Sequence, residues 1–373
     1  MSINRDKPDH WKADIKASVD LYNAWFMDFA PQTFRDERVR SAKQVENALK
    51  STANLTNISP ALLKQHPEVL PMLRMATCPP IARDRLIGLA GVSKNLVKCM
   101  EDKDKPGVPP RMSAKKLDEE LTQIGSIITR MADRDIFVWL ESGEPATETD
   151  VHRAATIVAD RLCGAQSDPI IRNEQENRQL RSIAAWLNAR DYKRLDPDDG
   201  IKFNAMPPGT YSFRMNVPVA LTVEENEAVT ADAEETEEDR AEAEDGAGFE
   251  TDVEATVPQE AKVGAAVVPE AIVVATTVNI PVDVVIMPKD AKPGDFPLLI
   301  EAKSAGDFTN VNKRRKEEAQ KIRQLKRHYH QHNVRFGLFL CGYFDSGYLG
   351  YAAADGIDWV WEHRIDDLAG YAL

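Results

Sequence analysis

Cysteine is scarce in this chain. The four thiols, Cys78, Cys99, Cys163 and Cys341, are far apart. They suit a reducing compartment and fit neither a disulfide framework nor a zinc site. Long apolar runs are missing: none approaches the ~20 residues that a membrane helix requires, so a membrane protein is not expected. The opening stretch Met1-Ser2-Ile3-Asn4-Arg5-Asp6-Lys7-Pro8 has no apolar segment of the signal-peptide kind, and a bacterial-type cytoplasmic setting is expected. There is no Gly-rich Walker loop, so ATP-driven movement is not suggested. No G-x-S-x-G nucleophile setting occurs. Positive charge is in deficit too, with a net charge of −13, which argues against a nucleic-acid partner at first sight.

The distribution of charge reverses that reading. Between Glu224 and Glu254 stand fifteen acidic residues against the single basic Arg240, and the rest of the chain sums to +1. One acidic stretch, 224–260, carries the whole imbalance. It is poor in large apolar groups and reads as a disordered insertion. Over the whole chain, 43% hydrophobic and 29% charged residues are ordinary for a globular protein, and 373 residues suit two or three domains.

Residues 1–165 read as a mostly helical N-terminal region. Trp11, Ile15, Ser18, Val19, Tyr22, Trp25 and Phe26 follow helical spacing up to Pro31, and further helices are expected over 36–50, 60–75, 81–101, 113–139 and 147–163. Leu86–Glu101 reads as helix, Gly91-Val92-Ser93 turn, helix. That is either a helix-turn-helix, with Lys94 and Asn95 toward a major groove, or a plain helical hairpin. The catalytic part is expected over 166–223 and 261–373: a helix over 170–190, strands over 211–223, 271–286, 297–303 and 334–341, and a charged helix over 312–331. The succession describes an α/β core, a mixed central sheet flanked by helices.

Within that core one constellation carries chemistry. Asp283 sits inside an apolar strand, and Glu301 and Lys303 end the next. Residues two apart on a strand share a face, so Glu301 and Lys303 project together while Ile300 and Ala302 face away. If the strands are neighbours, Asp283 reaches the same place. Two carboxylates form a hard oxygen site for Mg²⁺, and the lysine can orient or help deprotonate an attacking water; such a set suits hydrolysis of a phosphodiester. The alternative is an edge-strand ion pair between Glu301 and Lys303. The following helix adds Lys313, Arg314, Arg315, Lys316, Arg323, Lys326 and Arg327, suited to a DNA backbone. It reads equally as a solvated face with Glu317 and Glu318 in i,i+4 pairs. On the 170–190 helix, four residues back from the core-facing Leu180, Glu176 points inward. It is either a further ligand or a partner of Arg172 or Arg178. His328, His330 and His332 lie on different helix faces and make no ready metal site. Phe344, Trp359 and Trp361 are expected in the core.

These residues, together with the run Asp6–Ile15, the segment Leu86–Val97, the Arg172–Leu180 helix, Glu301-Ala302-Lys303-Ser304-Ala305-Gly306-Asp307-Phe308-Thr309-Asn310 with Lys313–Ala319, and Cys341–Asp345 through Asp358–Ile365, resemble the PD-(D/E)XK nuclease superfamily. More narrowly, they resemble type II restriction endonucleases of the XamI family. The resemblance covers nearly the whole chain outside the acidic stretch. It implies Mg²⁺-dependent cleavage of both strands of unmethylated DNA at a short palindrome, with GTCGAC suggested by relatives, by a homodimer whose host is protected by a cognate DNA methyltransferase. Asp283, Glu301 and Lys303 match the signature positions, although Pro281 is separated from Asp283 by Val282. The competing expectations are a repair or recombination nuclease of the same superfamily, or a non-enzymatic helix-turn-helix DNA-binding protein.

Overall fold

The computed structural model describes residues 2–196, 200–221, 276–305 and 311–373, without the side chains of residues 221, 276, 311–315 and 317. The acidic stretch 224–260 and the start of the 271–286 strand lie outside the described residues. Among the described residues the chain forms two compact units. One is Phe29–Ile171; the other joins residues 2–28 to the chain from Arg172 onward. The first turns of the N-terminal helical region thus group with the sheet, whereas the division expected from sequence kept 1–165 together.

The helices are α1 (Pro8–Ser51), α2 (Pro60–Gln65), α3 (Leu70–Met75), α4 (Arg83–Ala90), α5 (Lys94–Met100), α6 (Ala114–Met131), α7 (Trp139–Ser142), α8 (Glu148–Asn188), α9 (Val311–His328) and α10 (Ser346–Ala354). In the helical unit, Leu117, Leu121, Ile124 and Ile128 form the buried stripe of α6, and the Ser113 side chain accepts the Lys116 amide to cap its start. Gly91, with φ of 62°, ends α4, and Ser93 caps α5; the 86–101 segment is therefore two helices across a tight turn.

Two helix breaks expected at proline do not occur: Pro31 lies inside α1 and Pro169 inside α8. Proline has a helical φ and lacks the amide for the carbonyl four residues back. Tyr22 and Ala30 near Pro31, and Cys163 and Ser167 before Pro169, are buried. Packing of the adjacent turns outweighs the lost hydrogen bond.

The other unit carries a six-stranded mixed sheet, in order β1 (Lys193–Arg194), β2 (Thr210–Leu221), β3 (Thr276–Met287), β4 (Leu298–Ala305), β5 (Arg335–Gly342), β6 (Asp358–Trp361). β2–β3 and β3–β4 are antiparallel, β4–β5 and β5–β6 parallel. Helices α9 and α10 make the two parallel crossovers. α8, through Leu180, Ile183 and Leu187, covers the face bearing Ile300 and Ala302; α9, through Ile322 and Leu325, covers the opposite face. β4 is central, bonded on both sides. Where β4 and β5 end, Gly342 has φ of 96° and a Cβ there would sit 2.0 Å from the Ala305 carbonyl oxygen, so only glycine fits. Phe344, Trp359 and Trp361 are fully buried, as expected. At the start of β6 the Asp358 carboxylate accepts the amides of Ile3, Asn4 and Arg5 and the Ser2 hydroxyl, at 2.6 to 3.1 Å. Among the described residues no helix is long and apolar enough to cross a membrane.

Candidate active site

β3 and β4 are antiparallel neighbours, with Val284 opposite Ile300. One step further along that register brings Asp283 level with Glu301. There the ladder opens, and the Asp283 carboxylate accepts the Ala302 amide at 2.8 Å.

An irregularity in the two preceding strands delivers Asp283 to this point. Along β3, Ile280 and Val282 pack into the α9-side core, whereas Val284 and Ile286 pack into the α8-side core. β2 does the same: Tyr211 and Phe213 lie on the α8 side, Met215, Val217 and Val219 on the α9 side. A regular strand cannot exchange faces in this way. The exchange falls between the pairs Phe213–Val284 and Met215–Val282, where Arg214 adopts a left-handed φ of 52°. That conformation costs an L-residue about 1 kcal/mol.

Glu301 is 1% exposed, and each of its oxygens receives an ammonium. Lys303 Nζ donates to Oε2 at 3.1 Å and Lys321 Nζ, from α9, to Oε1 at 3.3 Å. Lys321 also donates to the Pro281 carbonyl at 3.4 Å. One turn earlier on α9, Glu318 is 3% exposed and accepts the Tyr348 hydroxyl with one oxygen. Among the described residues its other oxygen, Oε1, has no hydrogen-bond partner.

The electrostatics follow from three carboxyl groups meeting two ammoniums. Desolvation, then the charge of Glu301, push Asp283 up to about 7, against the pull of Lys303 and the Ala302 amide; Glu176 adds to the rise. Burial works upward on Glu301 as well, but Lys303 and Lys321 outweigh it and hold that carboxyl below its ordinary value. Burial opposes the charged form of Lys303, yet Glu301, Asp283 and Glu318 together hold its ammonium above the ordinary lysine value. Glu318 is raised by burial, against Lys303 and the Tyr348 hydrogen bond. The state described is thus one in which Lys303 is firmly protonated.

Of the residues singled out from sequence, Asp283, Glu301 and Lys303 come together. Glu176 stands at the margin: its carboxylate is taken by Arg214 at 2.8 and 3.0 Å, and its partner is neither Arg172 nor Arg178. It lies on α8, which covers the sheet face opposite Glu301. On the part of α8 that covers the sheet, Gln179 is buried and donates to the Lys303 and Phe339 carbonyls at 3.2 Å each. Stepping back four from Ile183 reaches it, as stepping back from Leu180 reaches Glu176. Lys316 and Arg323 are exposed on α9, and Lys94 and Asn95 are exposed in the first turn of α5. The side chains of Lys313, Arg314 and Arg315 lie outside the described residues. Glu318, read as part of a solvated face, is buried instead. Lys321, Glu318 and Gln179 were missed, although i,i+3/i+4 steps from the apolar Ile322 and Leu325 reach both α9 residues.

Asp283 and Glu301 offer hard oxygen donors of the kind a divalent ion takes. Among the described residues no group of three or more His, Cys, Asp or Glu converges as a protein cage. Mg²⁺ is commonly held by one or two carboxylates with waters and phosphate oxygens completing the shell, so the residues present fit it.

The sequence model of the XamI restriction endonuclease family matches residues 53–361. The type II restriction enzyme SalI of Streptomyces albus G is 47% identical over 366 residues, spanning 98% of this chain and 98% of that protein. No solved structure matches. Both similarities run through the acid-bearing strands, and they exclude the reading as a non-enzymatic DNA-binding protein and favour restriction over repair. The chain belongs to the XamI restriction endonuclease family and is a type II restriction endonuclease, a hydrolase acting on DNA.

Proposed function

We propose that the β3–β4 cluster is the cleavage centre, of PD-(D/E)XK architecture, and that it hydrolyses both strands of DNA at a short palindrome, GTCGAC, in an Mg²⁺-dependent reaction. Asp283 and Glu301 hold the ion. When bound, it supplies positive charge for the phosphate and lowers the pKa of a coordinated water. Lys303 is the positioning cation for the attacking water. Its ammonium, held by surrounding carboxylates, donates a hydrogen bond to that water rather than taking its proton. Gln179 fixes the Lys303 main chain by its bond to that carbonyl. Glu176 acts beside the site by holding Arg214 and adding negative charge near Asp283. On α9, Lys316 and Arg323, continuing the basic run Lys313, Arg314 and Arg315, grip phosphates. In the N-terminal helical region, Lys94 and Asn95, exposed at the start of α5, contact bases or phosphates.

A palindromic target calls for two copies of the site related by a two-fold axis, so the working form is a homodimer. A cognate methyltransferase protects the same sequence in the host, and both enzymes work in the cytoplasm. The observation that carries this reading is the meeting of Asp283, Glu301 and Lys303 at one point of neighbouring strands. Lys303→Ala should lower cleavage of a GTCGAC plasmid by about a thousandfold while binding of the same DNA in Ca²⁺ stays within a few fold. Near-normal cleavage by that variant would remove Lys303 from the mechanism.

A further inference from the structure

Each oxygen of Glu301 already accepts an ammonium, Lys303 on one and Lys321 on the other. A divalent ion that takes this carboxylate brings two further positive charges against both ammoniums in a desolvated place, and that repulsion drives at least one of them away. A displaced ammonium needs another acceptor, since an unpaired charge in a desolvated place is costly. The cluster contains one. Glu318 Oε1 is buried and, among the described residues, lacks a hydrogen-bond partner, while Oε2 is fixed by Tyr348. Glu318 and Lys303 already lie within electrostatic reach of each other. Lys321, one turn from Glu318 on α9, feels that carboxylate too, but less strongly than Lys303 does, and it already touches the Pro281 carbonyl.

We propose that Lys303 and Lys321 are internal counter-ions that a divalent ion must displace from Glu301, and that Glu318 is the positioning residue that receives Lys303 when it lets go. Lys321 acts as a competitor that weakens ion binding until substrate phosphates arrive. Glu318 has the opposite effect: it keeps the displaced Lys303 ammonium paired and close to the reacting centre. This rests on the reading of Asp283 and Glu301 as ion ligands.

The test is calorimetric titration of Mg²⁺ alone into the full chain without DNA, comparing wild type with Glu301→Gln, Glu318→Gln, Lys321→Gln and Lys321→Arg. Glu318→Gln is isosteric and keeps an acceptor for Tyr348, and thermal melting in ion-free buffer checks that each variant is folded. The proposal expects Lys321→Gln to tighten Mg²⁺ about tenfold and Glu318→Gln to weaken it about tenfold, with Lys321→Arg near wild type. A purely structural role for either residue would not move affinity in opposite directions. If binding is lost in Glu301→Gln but moves by less than twofold in both Glu318→Gln and Lys321→Gln, or moves the same way in both, the exchange is overturned while the ion site stands. If Glu301→Gln binds as wild type does, the ion-site reading itself fails, and the exchange with it.

Discussion

Two glutamates, one in each unit, have side chains of similar exposure, 3% for Glu101 and 2% for Glu301, and they are held in different ways. Glu101 of the helical unit is gripped by the fork of Arg74 at 2.7 and 3.1 Å and by Arg83 at 3.1 Å. Arg74 spends a further donor on the Ile81 carbonyl at 2.6 Å. A planar guanidinium binds a carboxylate through two bonds of fixed geometry. It ties α3 to the end of α5. Glu301 of the sheet unit is held by two ammoniums on flexible stems, beside Asp283 and Glu318, so acid is in excess. An arginine fork closes a site, whereas lysines on a surplus of carboxylate leave it open to exchange with another cation. The partner, more than the burial, separates a structural glutamate from a reactive one.

The sharpest way to break this comparison is to neutralise both. Glu101→Gln strands the buried Arg74 and should destabilise the helical unit by about 3 kcal/mol. Glu301→Gln leaves two ammoniums facing the two remaining acids, so it should cost less in ion-free buffer than Glu101→Gln does. Urea denaturation read by amide exchange within each unit measures both. Equal losses would end the distinction.

A second experiment sharpens it through pH. The folded protein holds Asp283 near 7, well above a carboxyl in the unfolded chain. Between about pH 4 and 7 the folded state therefore binds a proton that the unfolded state has released, and wild-type stability falls as pH rises through that window. Asp283→Asn keeps an acceptor for the Ala302 amide and does not titrate. It should exceed wild type at pH 8 by on the order of 2–4 kcal/mol in the absence of divalent ions, the gap closing near pH 4. A gap independent of pH would show that the surplus acid does not reside at Asp283.

The smallest effect concerns the strand irregularity that brings Asp283 into place. Arg214→Gly and Arg214→Ala both lose the ion pair to Glu176, but only glycine tolerates the left-handed backbone. The glycine variant should be more stable than the alanine variant by about 1 kcal/mol in urea. Identical stabilities would mean that β2 can run through position 214 without that turn.

Much of this was legible in the residue pattern because it is local. The acid inside the apolar strand, the i,i+2 pairing of Glu301 and Lys303, and the capped hairpin around Gly91 and Ser93 all depend on near neighbours in sequence. What was not legible depends on packing. Pro31 reads as a stop and the interval between 163 and 170 as a break, and buried flanking turns carry the helices through Pro31 and Pro169. β6 has four residues, all buried, so it shows no alternation to find. Glu318 and Lys321 were lost among the charges of α9, since a charged helix reads as solvated until its apolar stripe is traced from Leu325 backward. Nothing about an arginine announces a left-handed turn at position 214.

The grip of Asp358 on three successive amides near the start of the chain has a practical consequence for engineering. Residues 2–5 serve as a stitched hem along the outer strand of the sheet, so trimming them exposes a bare edge, with self-association as the expected result.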